Sequence, residues 1–260
     1  MEEKRVRLDI DGAVAVITND NDARHNAFDD AMDLRLFEIL AELKERPDLR
    51  VVIWRGEGRS WSSGRDVSAI GDPDQPLSHH ELMRRGHAGV EPILDLDVPI
   101  LVPIQGWAMG GSFQRALLCD VRVAATDARF RLPELSHGVI PDTGGVARLF
   151  QMCGHGVVSD MVLTGRVVEA EEALALGIVS RVVPRDALDD TVREMAERVV
   201  AAPAVTVRAA RRVIRHLAEP AVRSSMADEL ILQTFVNKSD DFAEFRNARR
   251  EGRAPDYHGS

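Results

Sequence analysis

The stretch Val98-Pro99-Ile100-Leu101-Val102-Pro103-Ile104 runs on to Trp107-Ala108-Met109-Gly110-Gly111-Ser112-Phe113-Gln114, and its reading decides the fold. An apolar strand enters a pair of glycines, and a helix begins there. Glycine at such a turn lets a ligand approach the main chain, while the first N–H groups of a helix have no partner within it. With the positive end of the helix dipole, those donors suit an oxygen on which negative charge develops. The turn predicts an enzyme that acts on a carbonyl compound.

Upstream of it, Val6-Arg7-Leu8-Asp9-Ile10 and Ala13-Val14-Ala15-Val16-Ile17, joined by Asp11-Gly12, alternate as a β-hairpin does. Residues 31–43 carry apolar side chains at helical spacing, with Asp29 or Asp30 placed to cap the helix. Arg50-Val51-Val52-Ile53-Trp54 is a short, nearly continuous apolar strand of the kind buried on both faces. A Gly/Ser-rich loop covers 56–64, a Pro/Asp-rich loop covers 71–78, and a helix is predicted over 79–96. Downstream, the helix after the glycines ends near Cys119, Val121-Arg122-Val123-Ala124-Ala125 is a strand, and 131–145 is a loop rich in glycine and proline. From about residue 185 the strands cease. Residues 186–201, 203–218, 221–236 and 238–250 read as successive helices. Strands alternating with helices predict an α/β core followed by a helical C-terminal part. Met226, Leu230, Ile231, Phe235, Val236, Phe242 and Phe245 exceed what one thin helical layer buries, so a neighbouring subunit is expected against them.

The chain has 260 residues, 45% hydrophobic and 29% charged, which allows a sizeable core. A net charge of −9 without a basic tract argues against nucleic acid or an anionic membrane surface as the main partner. Cys119 and Cys153 sit in apolar surroundings with no metal-type spacing and read as reduced core thiols. The opening Met1-Glu2-Glu3-Lys4-Arg5 lacks the apolar segment of a signal peptide, and no apolar run approaches the ~20 residues that span a bilayer. A cytoplasmic location is expected. His25, His79, His80 and His87 fall in polar or helix-surface settings and read as solvated, with no metal-ligand pairing among them.

Three local patterns fall in one order: Trp61-Ser62-Ser63-Gly64-Arg65-Asp66, then Gly110-Gly111-Ser112, then Leu132-Pro133-Glu134 through Pro141-Asp142-Thr143-Gly144-Gly145. With Arg24-His25-Asn26-Ala27, Leu163-Thr164-Gly165 and Ala175-Leu176-Gly177-Ile178-Val179, the set covers nearly the whole chain and resembles the crotonase, or enoyl-CoA hydratase/isomerase, superfamily. The resemblance implies an α/β fold, a crotonase-type spiral of ββα units over 1–190 that binds acyl-CoA and carries the catalytic site. It implies a helical C-terminal oligomerisation region over 191–260 that makes a homotrimer or a dimer of trimers. The substrate is then an acyl-CoA thioester, with coenzyme A part of the substrate and no separate cofactor or metal. In that family two main-chain N–H groups bind the thioester oxygen. Carried over, they are those of Ser63 and Gly111. Ala23, Arg24, His25, Ala27, Gly64, Arg65 and Asp66 fall in the segments that hold coenzyme A and substrate, and Trp61, Trp107 and Phe113 are candidates for the acyl-pocket wall or for plain core.

Hydratases of the family use two glutamates. Here the first position is Gln114 and the second is Glu134. An amide does not exchange a proton at neutral pH, whereas hydration needs one group to activate water and another to move a second proton. Asp142, eight residues after Glu134, supplies a replacement carboxylate, an arrangement that resembles the family's double-bond isomerases. The expectation is that Glu134 removes the α-proton, Asp142 returns a proton at a distal carbon, and Gln114 orients the substrate or a water. Alternatives are an inefficient hydratase driven by Glu134 alone and a catalytically silent CoA-binding protein. At single residues, Asp142 competes with a helix-capping role and Glu134 with a loop salt bridge. A Ser112 nucleophile served by His137 or His155, as in Clp-type proteases, lacks the G-x-S-x-G elbow.

Overall fold

The hairpin forms as predicted. β1 (Val6–Asp11) and β2 (Val14–Asn19) pair antiparallel from Val6↔Asn19 to Asp11↔Val14, with Gly12 at φ +54° in the turn. This computed structural model describes residues 5–69 and 77–259; residues 1–4, 70–76 and 260, the second stretch holding most of the predicted Pro/Asp-rich loop, and the Ala69 and His79 side chains lie outside the described set. Four more strands extend the hairpin in parallel: β3 (Val51–Gly56), β4 (Ile100–Ile104), β6 (Val121–Ala125) and β9 (Arg181–Val183). The order across this sheet is β1-β2-β3-β4-β6-β9. A second, small sheet holds β5 (Trp107–Met109), β7 (Arg129–Arg131) and β8 (Val168–Glu169) in that order.

The two sheets are linked by a repeated path. β4, β5 and α3 (Gly110–Leu118) form one passage, and β6, β7 and α4 (Gly145–Thr164) form the next. The preceding passage runs from β3 through Ser62, which makes a parallel bridge to Ala108 of β5, into α2 (His79–Asp95). Each turn thus places a strand in the large sheet and an extended stretch in the small one before a helix carries the chain back. This is the predicted spiral of ββα units. Parallel neighbours require such crossovers.

The large sheet is covered on both faces, which is why its inner strands read as continuous apolar runs. Val52, Ile100, Val102 and Ala124 face the main core with α1 (Asp30–Lys44), α2, α3 and α4. The alternating residues Val51, Leu101, Val123 and Ala125 meet Leu188, Val192 and Ala196 of α6 (Leu188–Ala201), which follows the short α5 (Ala170–Ala175). At the start of α1 the cap is Asp29, whose side chain accepts the Met32 N–H at 3.0 Å.

Two helical segments differ from the sequence reading. Residues 203–218 and 221–236 are one helix, α7 (Ala204–Val236), which runs through Pro220. Proline inside a helix removes a hydrogen bond and crowds the carbonyl four residues back, but both halves are held by the rest of the chain. Arg211 bonds to Asp120 and to the Ile93 and Leu96 carbonyls, and Val222 and Met226 are buried. α4 went unrecognised because its glycines hide a helical pattern that Gly154, at φ +75°, interrupts. α8 (Asp240–Glu251) closes the chain, capped by the Ser239 hydroxyl. Of the apolar residues expected to meet a second subunit, Met226, Phe242 and Phe245 are buried within this chain, whereas Ile231 and Phe235 are exposed. No described helix is long and apolar enough to cross a membrane.

Candidate active site

A cavity of about 420 Å³ opens where α2, the start of α3, the turn Glu134–His137 and the α7–α8 corner meet, and Ser63, Arg65, Gly110, Gly111, Glu134 and Asp142 all contribute to its wall. Two separate loops converge there. Ser62 donates its N–H to the Trp107 carbonyl at 2.9 Å and accepts the Met109 N–H at 3.0 Å, so the chain around Ser62 runs alongside β5. Gly64, at φ +94°, approaches so closely that a Cβ there would stand 2.8 Å from the Met109 carbonyl oxygen. Only glycine fits. Gly110, at φ +53°, turns the chain into α3, whose first N–H groups, Gly111 included, have no carbonyl four residues back to receive them.

On the first loop the expected amide, that of Ser63, is already engaged. Ser63 gives its N–H to the His25 carbonyl at 2.8 Å, and Gly64 gives its own to the Ser62 hydroxyl at 3.2 Å. Phe28 then takes both neighbours of Arg65: its N–H meets the Gly64 carbonyl at 2.8 Å and its carbonyl the Asp66 N–H at 2.7 Å. Successive amides of an extended chain point to opposite sides. The Arg65 N–H therefore faces away from Phe28, and among the described residues it has no hydrogen-bond partner.

Glu134 follows Pro133 at the head of the turn and is 8% exposed. A Cβ on Gly110 would lie 3.6 Å from its Oε1, so the carboxyl stands directly over the glycine turn. Oε1 accepts from Gln114 Nε2 at 2.9 Å, while Oε2 is buried with no partner among the described residues. Burial pushes this carboxyl up to about 7; the Asp142 charge acts the same way and the Gln114 hydrogen bond opposes it. Burial also raises the Asp142 carboxyl, against the nearby His87 ring and the Thr143 hydroxyl.

Gln114 does not face the cavity, contrary to its expected role with substrate or water. It is fully buried, and Gly145 packs on it so tightly that a Cβ there would be 2.5 Å from its own Cβ. Its Oε1 accepts the Thr143 N–H at 2.9 Å, which turns its amide NH₂ toward Glu134. Gln114 thus orients the acid.

Of the positions expected to hold coenzyme A, Arg65 alone reaches the cavity wall. Ala23 and Arg24 lie on the surface, the latter paired with Asp66 at 2.6 Å; Ala27 and Gly64 are buried, and His25 sets its Nδ1 2.9 Å from the Ser60 hydroxyl. Arg65 binds Asp33 at 2.7 Å and also Asp30, Arg85 binds Asp30 at 3.2 Å, and Arg115 binds Asp33 at 2.8 Å. This ladder ties α1, α2 and α3 to the Arg65 loop. Trp61 and Phe113 are wholly buried and Trp107 lies under the Arg129 guanidinium, so none of the three walls the cavity. Ser112 is buried against the Ser62 hydroxyl at 2.8 Å, a setting for packing and not for a nucleophile.

Sequence reasoning missed two contributors. His87, read as solvated, is half-buried in the wall with Nε2 2.5 Å from the Asp142 carbonyl oxygen. The C-terminal helices, read as an assembly element, also build the site: Gln233 accepts the Ile140 N–H at 2.7 Å and Glu229 the Gly144 N–H at 2.8 Å, while Gln233, Asn237, Phe242 and Arg246 line the cavity. Glu229 and Gln233, four apart beside Met226, are the polar break in an apolar helix face that marks this contact.

Comparison with known proteins covers the same ground. The profile described as enoyl-CoA hydratase/isomerase matches residues 9–260. The chain is 35% identical over 253 residues to carnitinyl-CoA dehydratase of Citrobacter koseri, spanning 95% of this chain and 96% of that one. Among solved structures it resembles an enoyl-CoA hydratase/isomerase from Pseudoalteromonas atlantica, with a TM-score of 0.89, 25% identity and coverage of 98% and 100%. An enoyl-CoA hydratase/carnitine racemase from Magnetospirillum magneticum matches at a TM-score of 0.78 and 26% identity, covering 100% and 97%.

Proposed function

The chain belongs to the enoyl-CoA hydratase/isomerase family, and on that premise we propose that Glu134 removes a proton from the carbon beside an acyl-CoA thioester and that Asp142 returns one further along, so that a double bond moves. The observation that carries this reading is the buried Glu134 carboxyl, tethered through one oxygen and bare on the other, over the Gly110-Gly111 turn.

The thioester oxygen takes its hydrogen bonds from the Gly111 and Arg65 amides, Arg65 replacing Ser63 because the Ser63 N–H is engaged by His25. As the proton leaves Cα, negative charge moves to that oxygen, and each fixed donor contributes ~3 kcal/mol to holding it. An acid balanced near neutrality can both take and return a proton. Asp142, whose carboxyl is also raised, gives its proton to the distal carbon and recovers one from Glu134. Coenzyme A is part of the substrate. The exposed side chains Val213, Ile214, Leu217, Ile231 and Phe235 on α7 support self-association as a trimer or dimer of trimers.

The name of the Citrobacter relative favours a second reading, removal of water across Cα and Cβ. Spectrophotometric turnover of 2-enoyl-, 3-enoyl- and 3,5-dienoyl-CoA ranks the two. Isomerisation predicts turnover of the 3-enoyl or dienoyl substrate, slowed ~100-fold or more in Asp142→Asn. Tight acyl-CoA binding without turnover of any substrate would contradict both readings and leave a silent binding protein.

A further inference from the structure

We propose that His87 is the acid–base group through which this site adds water to, or removes it from, the carbon next to the one served by Glu134. The inference rests on the enolate reading of the site and adds a second activity to it.

Dehydration moves two protons, one off Cα and one onto the departing hydroxyl. Glu134 accounts for the first, and Gln114 cannot supply the second, being buried behind the wall and an amide. Arg65, Arg85 and Arg115 are locked in ion pairs with Asp30 and Asp33, and arginine does not release a proton in proteins. The His137 ring packs edge-on against Phe245 of α8. Among the described residues that leaves Asp142, assigned above to carbon, and His87.

The geometry of His87 fixes its tautomer. A carbonyl oxygen only accepts, so the Nε2 that meets the Asp142 carbonyl carries a hydrogen, and in the neutral ring Nδ1 is bare and basic. α2 presents the ring in a set position. Ser78 and Glu81 close a capping box at its start, and Gly89 lets the helix lie against the Phe37 ring of α1 where any Cβ would clash. Asp142 on the facing loop and Glu229 on α7 both act electrostatically with His87; Arg84 and Glu91 flank it on its own helix.

In dehydration the Glu134 carboxylate takes the Cα proton, the electron pair forms the Cα–Cβ double bond, and the Cβ–O bond breaks as the imidazolium Nδ1 proton passes to the hydroxyl, which leaves as water. In hydration Nδ1 takes a proton from water as its oxygen bonds to Cβ, and the Glu134 carboxyl gives its proton to Cα. Both directions balance.

His87→Gln tests this, because its amide can still donate to the Asp142 carbonyl but takes up no proton. Two rates are compared in the parent and the variant: hydration of a 2-enoyl-CoA, and deuterium uptake at Cα of a saturated acyl-CoA in D₂O. The expected result is a loss of hydration of ~100-fold or more with a loss of exchange below about tenfold. Restoration of hydration in His87→Ala by added imidazole supports the same role. Hydration within about threefold of the parent, or an equal loss of both rates, overturns the proposal. A parent that exchanges the α-proton but never adds water overturns it while leaving the enolate reading intact; a parent that does neither overturns both.

Discussion

Two of the polar centres buried in this molecule, those of Arg211 and Glu134, are finished differently. Around Arg211 the nitrogens are met: Nε by Asp120 at 3.0 Å, Nη1 by the Leu96 carbonyl and Nη2 by the Ile93 carbonyl at 3.3 Å. Around Glu134 one carboxyl oxygen is held by Gln114 and the other is buried with no partner among the described residues. A saturated centre has no capacity left for a ligand, and its interactions serve to pin α7 to the core. A half-satisfied acid raises the free energy of its own ionised form, and a reacting proton can lower it. The difference separates structure from chemistry more sharply than burial does, since both groups are nearly inaccessible.

The largest effect expected from this contrast is in Glu134→Gln, which keeps the shape of the acid and removes its proton chemistry. Turnover should fall ~1,000-fold or more while acyl-CoA affinity, read by calorimetry, stays within about threefold. Arg211→Ala should do the reverse. Taking the cation from the part-buried Asp120 carboxylate, which keeps only the Ile100 N–H, and the Arg211 bond from the Ile93 carbonyl destabilises by about 3 kcal/mol in urea unfolding, with the activity per folded molecule kept. If Arg211→Ala abolished turnover in folded protein, the two centres would not be separable.

Gly64→Ala sharpens the contrast on the side of the amides. A methyl group against the Met109 carbonyl at a positive φ should spread the two loops and lower kcat/KM ~100-fold, with Glu134 untouched. Smaller still is the pH dependence. Turnover that starts from the Glu134 carboxylate should rise about tenfold per pH unit on the acid side and level above about 7. Stability carries the opposite sign. The folded chain holds this proton more tightly than the unfolded chain, whose value is near 4.5, so its contribution is complete below about 4.5 and is lost as pH rises through about 7. Glu134→Gln should flatten that slope, which amounts to about 3 kcal/mol in unfolding measurements at a series of pH values.

Much of the plan was legible in the chain. The hairpin, the capped α1 and the strand-to-glycine turn follow from local spacing, and Glu134 and Asp142 both face the cavity as their order along the chain implied. What escaped was set by neighbours distant in sequence. Whether the Ser63 or the Arg65 amide is left without a partner among the described residues depends on which side of one extended stretch pairs with His25 and Phe28, and no residue type there encodes it. Gln114 looked like a ligand for substrate because its burial under Gly145 is a tertiary fact. Residues 203–218 and 221–236 read as two helices because the contacts that hold α7 together come from Asp120, Ile93 and Leu96, about a hundred residues earlier. His87 read as a surface residue because its partner is a backbone carbonyl on another element.

Incubating a saturated acyl-CoA with the protein in D₂O and following the Cα protons by NMR is the most direct trial of Glu134 as the base over two converging amides. Deuterium should enter at Cα with the parent protein and stop with Glu134→Gln. Exchange that continues undiminished in that variant, or never occurs in the parent, would contradict the assignment.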